Sequence, residues 1–340
     1  MKRAARTIGC VVLLLASAPA RADPAALVAA AHQEGTLTWY TAHTDGETAE
    51  DVGRAFTAKY PGIEVVVIRT TAQVAYQRLV QDLKNATPQC DVFSSTDIGH
   101  DEALKAAGKL AHYEPENAGA LSPEFLNFDK DGFYYPTAAG LVLITYNNQK
   151  VKPEESPQRW QDLLDPKWRG RVATGHPGFS GYAGVWVVMM RKLFGWDYFD
   201  RLERNKPRIG RSINDTVTML NAAESLVAAS PAATTLQSAD RGNPVALVYP
   251  VDGAILMISP SAVLANAPHP NAARLFLEFL LGPEHARIQV RHRAESIRPD
   301  VAPLAGAKPF REVTIVRPTV EDVVRGIPEV IDQWRDTFGG

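Results

Sequence analysis

The chain has 340 residues, with 36 Lys+Arg against 38 Asp+Glu and 8 His, for a formal charge of −2. That near balance excludes a strongly basic chain overall and gives no sign of a nucleic-acid or membrane surface. Two cysteines, Cys10 and Cys90, exclude a disulfide-built scaffold.

The chain opens on Lys2, Arg3 and Arg6, followed by an apolar run over residues 8–16 and small residues ending in Ala20-Arg21-Ala22. A basic start, a short apolar centre and an A-x-A end make a secretory signal peptide. The apolar run is shorter than the roughly 20 residues of a spanning helix. Cleavage is expected after Ala22, leaving a mature chain that begins at Asp23. Cys10 lies too early, and among the wrong neighbours, for a lipoprotein anchor. No later stretch is apolar enough to span a bilayer, so export to a bacterial periplasm is expected. That compartment favours binding, transport or hydrolysis over nucleotide-dependent chemistry. Cys90 then has no partner within the mature chain and reads as a small buried residue ahead of a strand.

Residues 25–35 read as a short helix ending in Gly35, and TLTWYT as a strand. Val52, Ala55, Phe56 and Tyr60 recur at helical spacing over residues 47–60, and Pro61-Gly62 ends that helix. IEVVVIR is a second strand, residues 75–85 a second amphipathic helix, DVFSS a third strand, and residues 102–107 a helix closed by Gly108. This alternation predicts an α/β fold with a mostly parallel sheet covered on both faces. GFYYPTAAGLVLITYNN is a long β-rich run. PQRWQDLLDPKWRGRVATGHP reads as helix, tight turn and strand, and helices are expected over residues 182–194 and 217–225. PVALVYPVDGAILMIS is a second long β-rich run, followed by helices over residues 271–281 and 321–338.

Two long β runs on either side of a central α/β segment predict two lobes joined by crossing strands. Residues 23–133 plus 252–305 are expected in one lobe and 134–251 plus 306–340 in the other. A ligand would lie between them, near strand C-termini and helix N-termini.

Four stretches carry a resemblance to a known family: GTLTWYTAHTDGETAEDVGRAFTAKYPGIEVVV, CDVFSSTD, WQDLLDPKWRGRVATGHP and GNPVALVYPVDGAILMISPSAVLANAPHPNAARLFLEFLLGPEHARI. They resemble the periplasmic solute-binding proteins of ABC importers, type II, in the branch of ferric-ion, sugar-phosphate and aminoalkylphosphonate binders. The resemblance implies two α/β lobes with a hinge, a non-enzymatic, monomeric receptor, no cofactor, and an inner-membrane permease as partner.

The ferric branch holds iron with a tyrosine pair in its second lobe. In the matching stretch ESLVAASPAATT, Ala229, Ser230 and Pro231 stand where that branch has Asn-Tyr-Tyr. Tyr134-Tyr135 lies in another segment and reads as strand packing near the hinge. A small anionic solute is therefore expected rather than iron. Its candidate contacts are Thr41, His43 and Thr44 after the first strand; Ser94, Ser95 and Thr96 after the third; and Ser180, Gly181 and Tyr182 at a helix start. Arg211 and Asn214, Ser230, and Tyr249 and Asp252 at the second crossing complete the set. Hydroxyls, an Arg fork and the free N–H groups of a helix N-terminus suit phosphate, phosphonate or carboxylate oxygens. Neither G-x-S-x-G nor H-E-x-x-H occurs, which argues against an exported hydrolase. Ferric capture and ligand presentation to a membrane sensor kinase stay open as alternatives.

Overall fold

The structure, a computed structural model, describes residues 24–304 and 308–339. The expected leader, with Cys10 and the Ala22 cleavage point, lies outside those residues. No described helix is long and apolar enough to cross a membrane.

The first third alternates as expected: α1 (Pro24–Glu34), β1 (Thr36–Thr41), α2 (Gly46–Lys59), β2 (Glu64–Arg69), α3 (Ala72–Lys84), β3 (Val92–Ser94) and α4 (Ile98–Ala106). Asp45 caps α2, its carboxylate accepting from the backbone N–H of Thr48 at 2.8 Å. Val52 and Phe56 are fully buried on its inner face. β1 pairs in parallel with β2 on one side and β3 on the other. Cys90 is buried just before β3, and desolvation raises its thiol pKa well above the ordinary value.

β4 (Tyr134–Asn147) is the first long β run. The following WQDLLDPKW segment forms two short 3-10 turns rather than the expected helix, since Pro166 has no N–H to continue one. Next come β5 (Val172–Gly175), α5 (Gly181–Phe194), α6 (Asp197–Arg204), β6 (Arg208–Gly210), α7 (Asp215–Asn221), β7 (Val227–Pro231) and α8 (Ala232–Asp240). The second β run is two strands, β8 (Val245–Val248) and β9 (Ala254–Val263), broken by Pro250 and by Gly253 at φ +108°. Then α9 (Pro270–Leu281) is followed at once by α10 (Pro283–Arg291). Gly282-Pro283 ends one helix and starts the next, because proline suits the first turn. β10 (Ile315–Val316) and α11 (Val320–Phe338) close the chain.

The strand order is β2-β1-β3-β9-β4-β7-β5-β6, with β10 on β9 and β8 on β4. The sheet is mixed. β3, β4 and β9 pair antiparallel, while β5, β6 and β7 repeat the parallel pattern of the first group. β4 changes partners along its length. Residues 134–142 pair with β9, and residues 142–146 pair with β7. Val142 is the exchange point, opposite both Ile255 and Pro231. One apolar core gathers around Trp39, Phe56 and Phe276, and another holds Trp160, Trp186, Phe199 and Trp334. Tyr134 and Tyr135 are both occupied: the phenol of Tyr134 donates to Glu102, and that of Tyr135 to the Tyr113 carbonyl at 2.7 Å.

Candidate functional site

A cleft partly open to solvent is lined by the segments that follow β1, β2, β3, β6 and β7. Parallel strands bring their C-terminal ends together, and the next helices begin there with free N–H groups. The first residues of α5, the middle of β4 and the stretch after α10 complete the wall.

Arg69, at the end of β2, donates from Nε to the Thr44 carbonyl at 2.8 Å. Two residues on, Thr71 occupies the N-cap of α3, yet its hydroxyl makes no cap bond and is buried without a partner. His43 meets Trp39 edge to face at 5.7 Å, and neither ring nitrogen has a partner. Burial, then the proximity of His285 and Arg69, pulls its pKa down to about 3, so the ring is neutral. A neutral imidazole offers one N–H and one lone pair. Burial works against the Asp45 carboxylate. Hydrogen bonds from the Thr48 backbone and hydroxyl, and from Gln237, outweigh it and hold the group below the usual carboxylate range.

Glu295 follows α10 and forms a β-bridge with Ala139. Its Oε2 is buried without a partner, and burial pushes the carboxyl up to about 8. The phenol of Tyr182, pushed up to about 12 by burial, bonds Ser259 Oγ at 3.1 Å. Across the rim, Gln237 donates to Asp45 at 3.2 Å and to the His292 carbonyl at 2.6 Å. Arg241 pairs with Glu47 at 2.5 Å, and Arg293 grips Asp240 at 2.6 and 2.9 Å.

Of the residues singled out in the sequence, His43, Thr44, Thr96, Ser180, Tyr182 and Asn214 line this cleft. Ser180 caps α5, its hydroxyl accepting from the Ala183 N–H at 3.4 Å. Asn214 accepts from Thr234 at 3.0 Å. Gly181 lies directly against Thr96: a Cβ built on it would meet Thr96 Oγ1 at 2.6 Å. In this arrangement no anion fits between those two residues.

The remaining expected contacts stand outside the lining, and all but Thr41 have a local role. Thr41 is buried at the end of β1 with its hydroxyl unpartnered. Ser94 accepts from Trp39 Nε1 at 2.7 Å and meets Ser261 Oγ at 2.5 Å. Ser95 meets His100 Nδ1 at 2.9 Å and accepts the Asp97 N–H. Ser230, in β7, bonds Thr216 of α7 at 2.7 Å. Arg211 is exposed and lies over the Phe179 ring at 5.2 Å. Lys308 lies over the Tyr249 ring at 4.7 Å. Asp252 accepts from the Trp160 N–H at 3.1 and 3.3 Å, capping the turn that opens the WQDLLDP block.

Sequence reasoning passed over Arg69, Thr71, Gln237, Gln289 and Glu295, all of which line the cleft. Arg69-Thr70-Thr71 carried a usable signal, a basic and hydroxylated run straight after a predicted strand. Glu295 carried none, because its place depends on pairing with Ala139, far away in the chain.

A family profile described as "Bacterial extracellular solute-binding protein" matches residues 88–307. A periplasmic protein of Salmonella typhimurium, provisionally named for binding 2-aminoethylphosphonate, is 25% identical over 343 residues, covering 95% of each chain. The periplasmic binding protein AfuA of Actinobacillus pleuropneumoniae, with fructose-6-phosphate bound, superposes with a TM-score of 0.81 at 21% identity, over 89% of this chain and 98% of AfuA. Iron-bound HitA of Pseudomonas aeruginosa gives a TM-score of 0.76 at 23% identity, over 89% of this chain and 99% of HitA. The two structures share the fold over 89% of this chain, and the profile match identifies the chain as a member of the bacterial extracellular solute-binding protein family.

Proposed function

We propose that this chain is exported, cut after Ala22, and acts without catalysis as the monomeric solute receptor of an ABC importer. It takes up a small organic anion bearing a phosphate, phosphonate or carboxylate group and hands it to the inner-membrane permease. Residues 23–133 plus 252–305 form one lobe, and 134–251 plus 306–340 the other. They close on the solute by bending near Val142.

The observation that carries this reading is the unpartnered, buried hydroxyl of Thr71, beside Arg69 at the start of α3. A desolvated donor, a guanidinium and a helix N-terminus together suit an oxyanion. Thr96, Ser180 and Asn214 add polar groups from other segments of the wall. The relatives favour the same chemistry, since 2-aminoethylphosphonate and fructose-6-phosphate both carry a phosphorus oxyanion. Ferric capture is less well served. Tyr182 is the one tyrosine among the described lining residues, and its phenol is shared with Ser259.

A thermal-shift panel of phosphonates, sugar phosphates, small carboxylates and ferric citrate tests the proposal. A solute at a thousandfold excess over its Kd stabilises the fold by about 4 kcal/mol. Stabilisation by an organic anion is the expected outcome. A response to ferric citrate alone, with a visible tyrosinate charge-transfer band, would overturn it.

A further inference from the structure

Glu295 is an expensive residue to place where it is. An unpartnered carboxyl oxygen in a buried position lacks the hydrogen bonds that water would provide. No described side chain forms an ion pair with it. Its position is nevertheless well defined. The turn after α10, closed by the Arg293 N–H on the Val290 carbonyl and the Ala294 N–H on the Gln289 carbonyl, leads into the bridge with Ala139. Gly140 keeps the space in front of the carboxyl open: a Cβ there would lie 3.7 Å from Glu295 Oε2 and 3.5 Å from the Tyr182 oxygen. Gln289, on the same side, meets His285 Nε2 through its amide nitrogen at 2.8 Å, which leaves its carbonyl oxygen as a second acceptor. This side of the cleft offers acceptors, whereas Arg69 and Thr71 on the first-strand side offer donors.

We infer that the solute is a zwitterion, whose primary ammonium group meets Glu295 while its anionic group is held at Arg69 and Thr71. The inference rests on the small-anion reading above and narrows it to amino-substituted phosphonates or carboxylates. Recognition is by oxygen acceptors: of the two phenols near the carboxyl, that of Tyr182 bonds Ser259 and the Tyr249 ring is covered by Lys308. An N–H-bearing ammonium therefore fits, and a quaternary one, which needs an aromatic cage, does not.

Binding has a proton signature. In the empty cleft the Glu295 carboxyl, raised to about 8, is protonated at neutral pH. When the ammonium arrives the carboxyl ionises, and its proton leaves to solvent. Two phenols face it and do not titrate in this range: that of Tyr182 lies at about 12, and that of Tyr249 is raised by burial.

The test is calorimetry with two matched pairs, 2-aminoethylphosphonate against ethylphosphonate and β-alanine against propionate, at pH 7 in two buffers of different ionisation enthalpy. At least one amino compound should bind about tenfold or more tighter than its partner, with net proton release. Glu295→Gln should narrow that gap to about twofold while leaving the affinity for the amino-free partner unchanged. Equal affinities within both pairs in the unaltered protein, an undiminished gap in Glu295→Gln, or binding without proton release would overturn the inference and leave the anion reading standing. Failure of all four probes to bind, while a sugar phosphate or another amino-free anion of the thermal-shift panel does bind, would also overturn the inference alone; failure of that whole panel would remove the anion reading and the inference with it. The comparison within each pair and the proton count use the unaltered protein, so the result does not depend on the variant folding.

Discussion

Gly181 and Thr96 are in direct contact, although one starts α5 and the other follows β3. A Cβ on Gly181 would sit 2.6 Å from Thr96 Oγ1. This contact ties the first strand group to the second beside the cleft. Gly181→Ala should prevent that approach and hold the walls apart. We expect solute affinity to fall about tenfold or more, with little change in the melting temperature of the empty protein. Calorimetry checks the first point, and small-angle scattering should show a larger radius for the solute-loaded variant than for the loaded parent.

Arg69→Met should cost about 1.5–3 kcal/mol of binding to an anionic solute, because it removes a charged donor. Thr71→Ala should cost about 1 kcal/mol of binding and leave stability nearly unchanged, since its hydroxyl bonds nothing in the empty cleft. Ser95→Ala should do the reverse. Its hydroxyl holds His100 and the Asp97 N–H, so the loss, about 1–3 kcal/mol, should appear in denaturant unfolding and not in affinity.

Acid should weaken the fold through His43 and His285. Burial lowers their folded-state values to about 3 and about 4, below the ordinary 6.5. Their contribution is therefore complete above about pH 6.5 and drains away as the pH falls toward 4 and below. At pH 5 the two together should cost roughly 2–4 kcal/mol relative to pH 7. Urea titrations of the parent and of His43→Gln should show a shallower acid slope for the variant.

Glu295 should act in the opposite direction. Its folded-state value, about 8, lies above the ordinary 4.5, so its neutral form supports the fold below about pH 4.5 and that support fades as the pH rises through 8. Glu295→Gln should therefore raise the melting temperature at pH 8 and change it little at pH 4.5.

The rim pairs Arg241–Glu47 and Arg293–Asp240 are exposed or nearly so, and each should add at most about 1 kcal/mol. Reversing Arg241 to Glu sets like charges opposite each other. It should lower affinity several-fold at low salt, with most of the loss removed at high ionic strength.

The first α/β alternation was legible because its helices are amphipathic and its turns carry Gly or Pro, as at Pro61-Gly62. α10 was hidden because Gly282-Pro283 serves both as a stop and as a start. β7 and α8 were obscured because VAASPAATT is made of small residues with no strong period. At the site, the loops after strands were readable as a class, and His43, Thr44, Thr96 and Ser180 do line the cleft. What could not be read was which hydroxyls the fold uses itself. Ser94, Ser95 and Ser230 look as available as Thr71 in one dimension. Only the tertiary partners Trp39, His100 and Thr216 separate them from it.

The pairing of Val92 with Val263 also has a consequence for how the chain folds. The edge of β3 has no neighbour until β9 has been made, far later in the sequence. β4 likewise waits for β9 along residues 134–142. The amino-terminal strands therefore cannot complete their sheet as they emerge, and a chain truncated before Ala254 leaves both edges bare. Such long-range closure is slow, and it leaves an open interval in which an incomplete chain stays loose enough to be threaded through a pore before it locks.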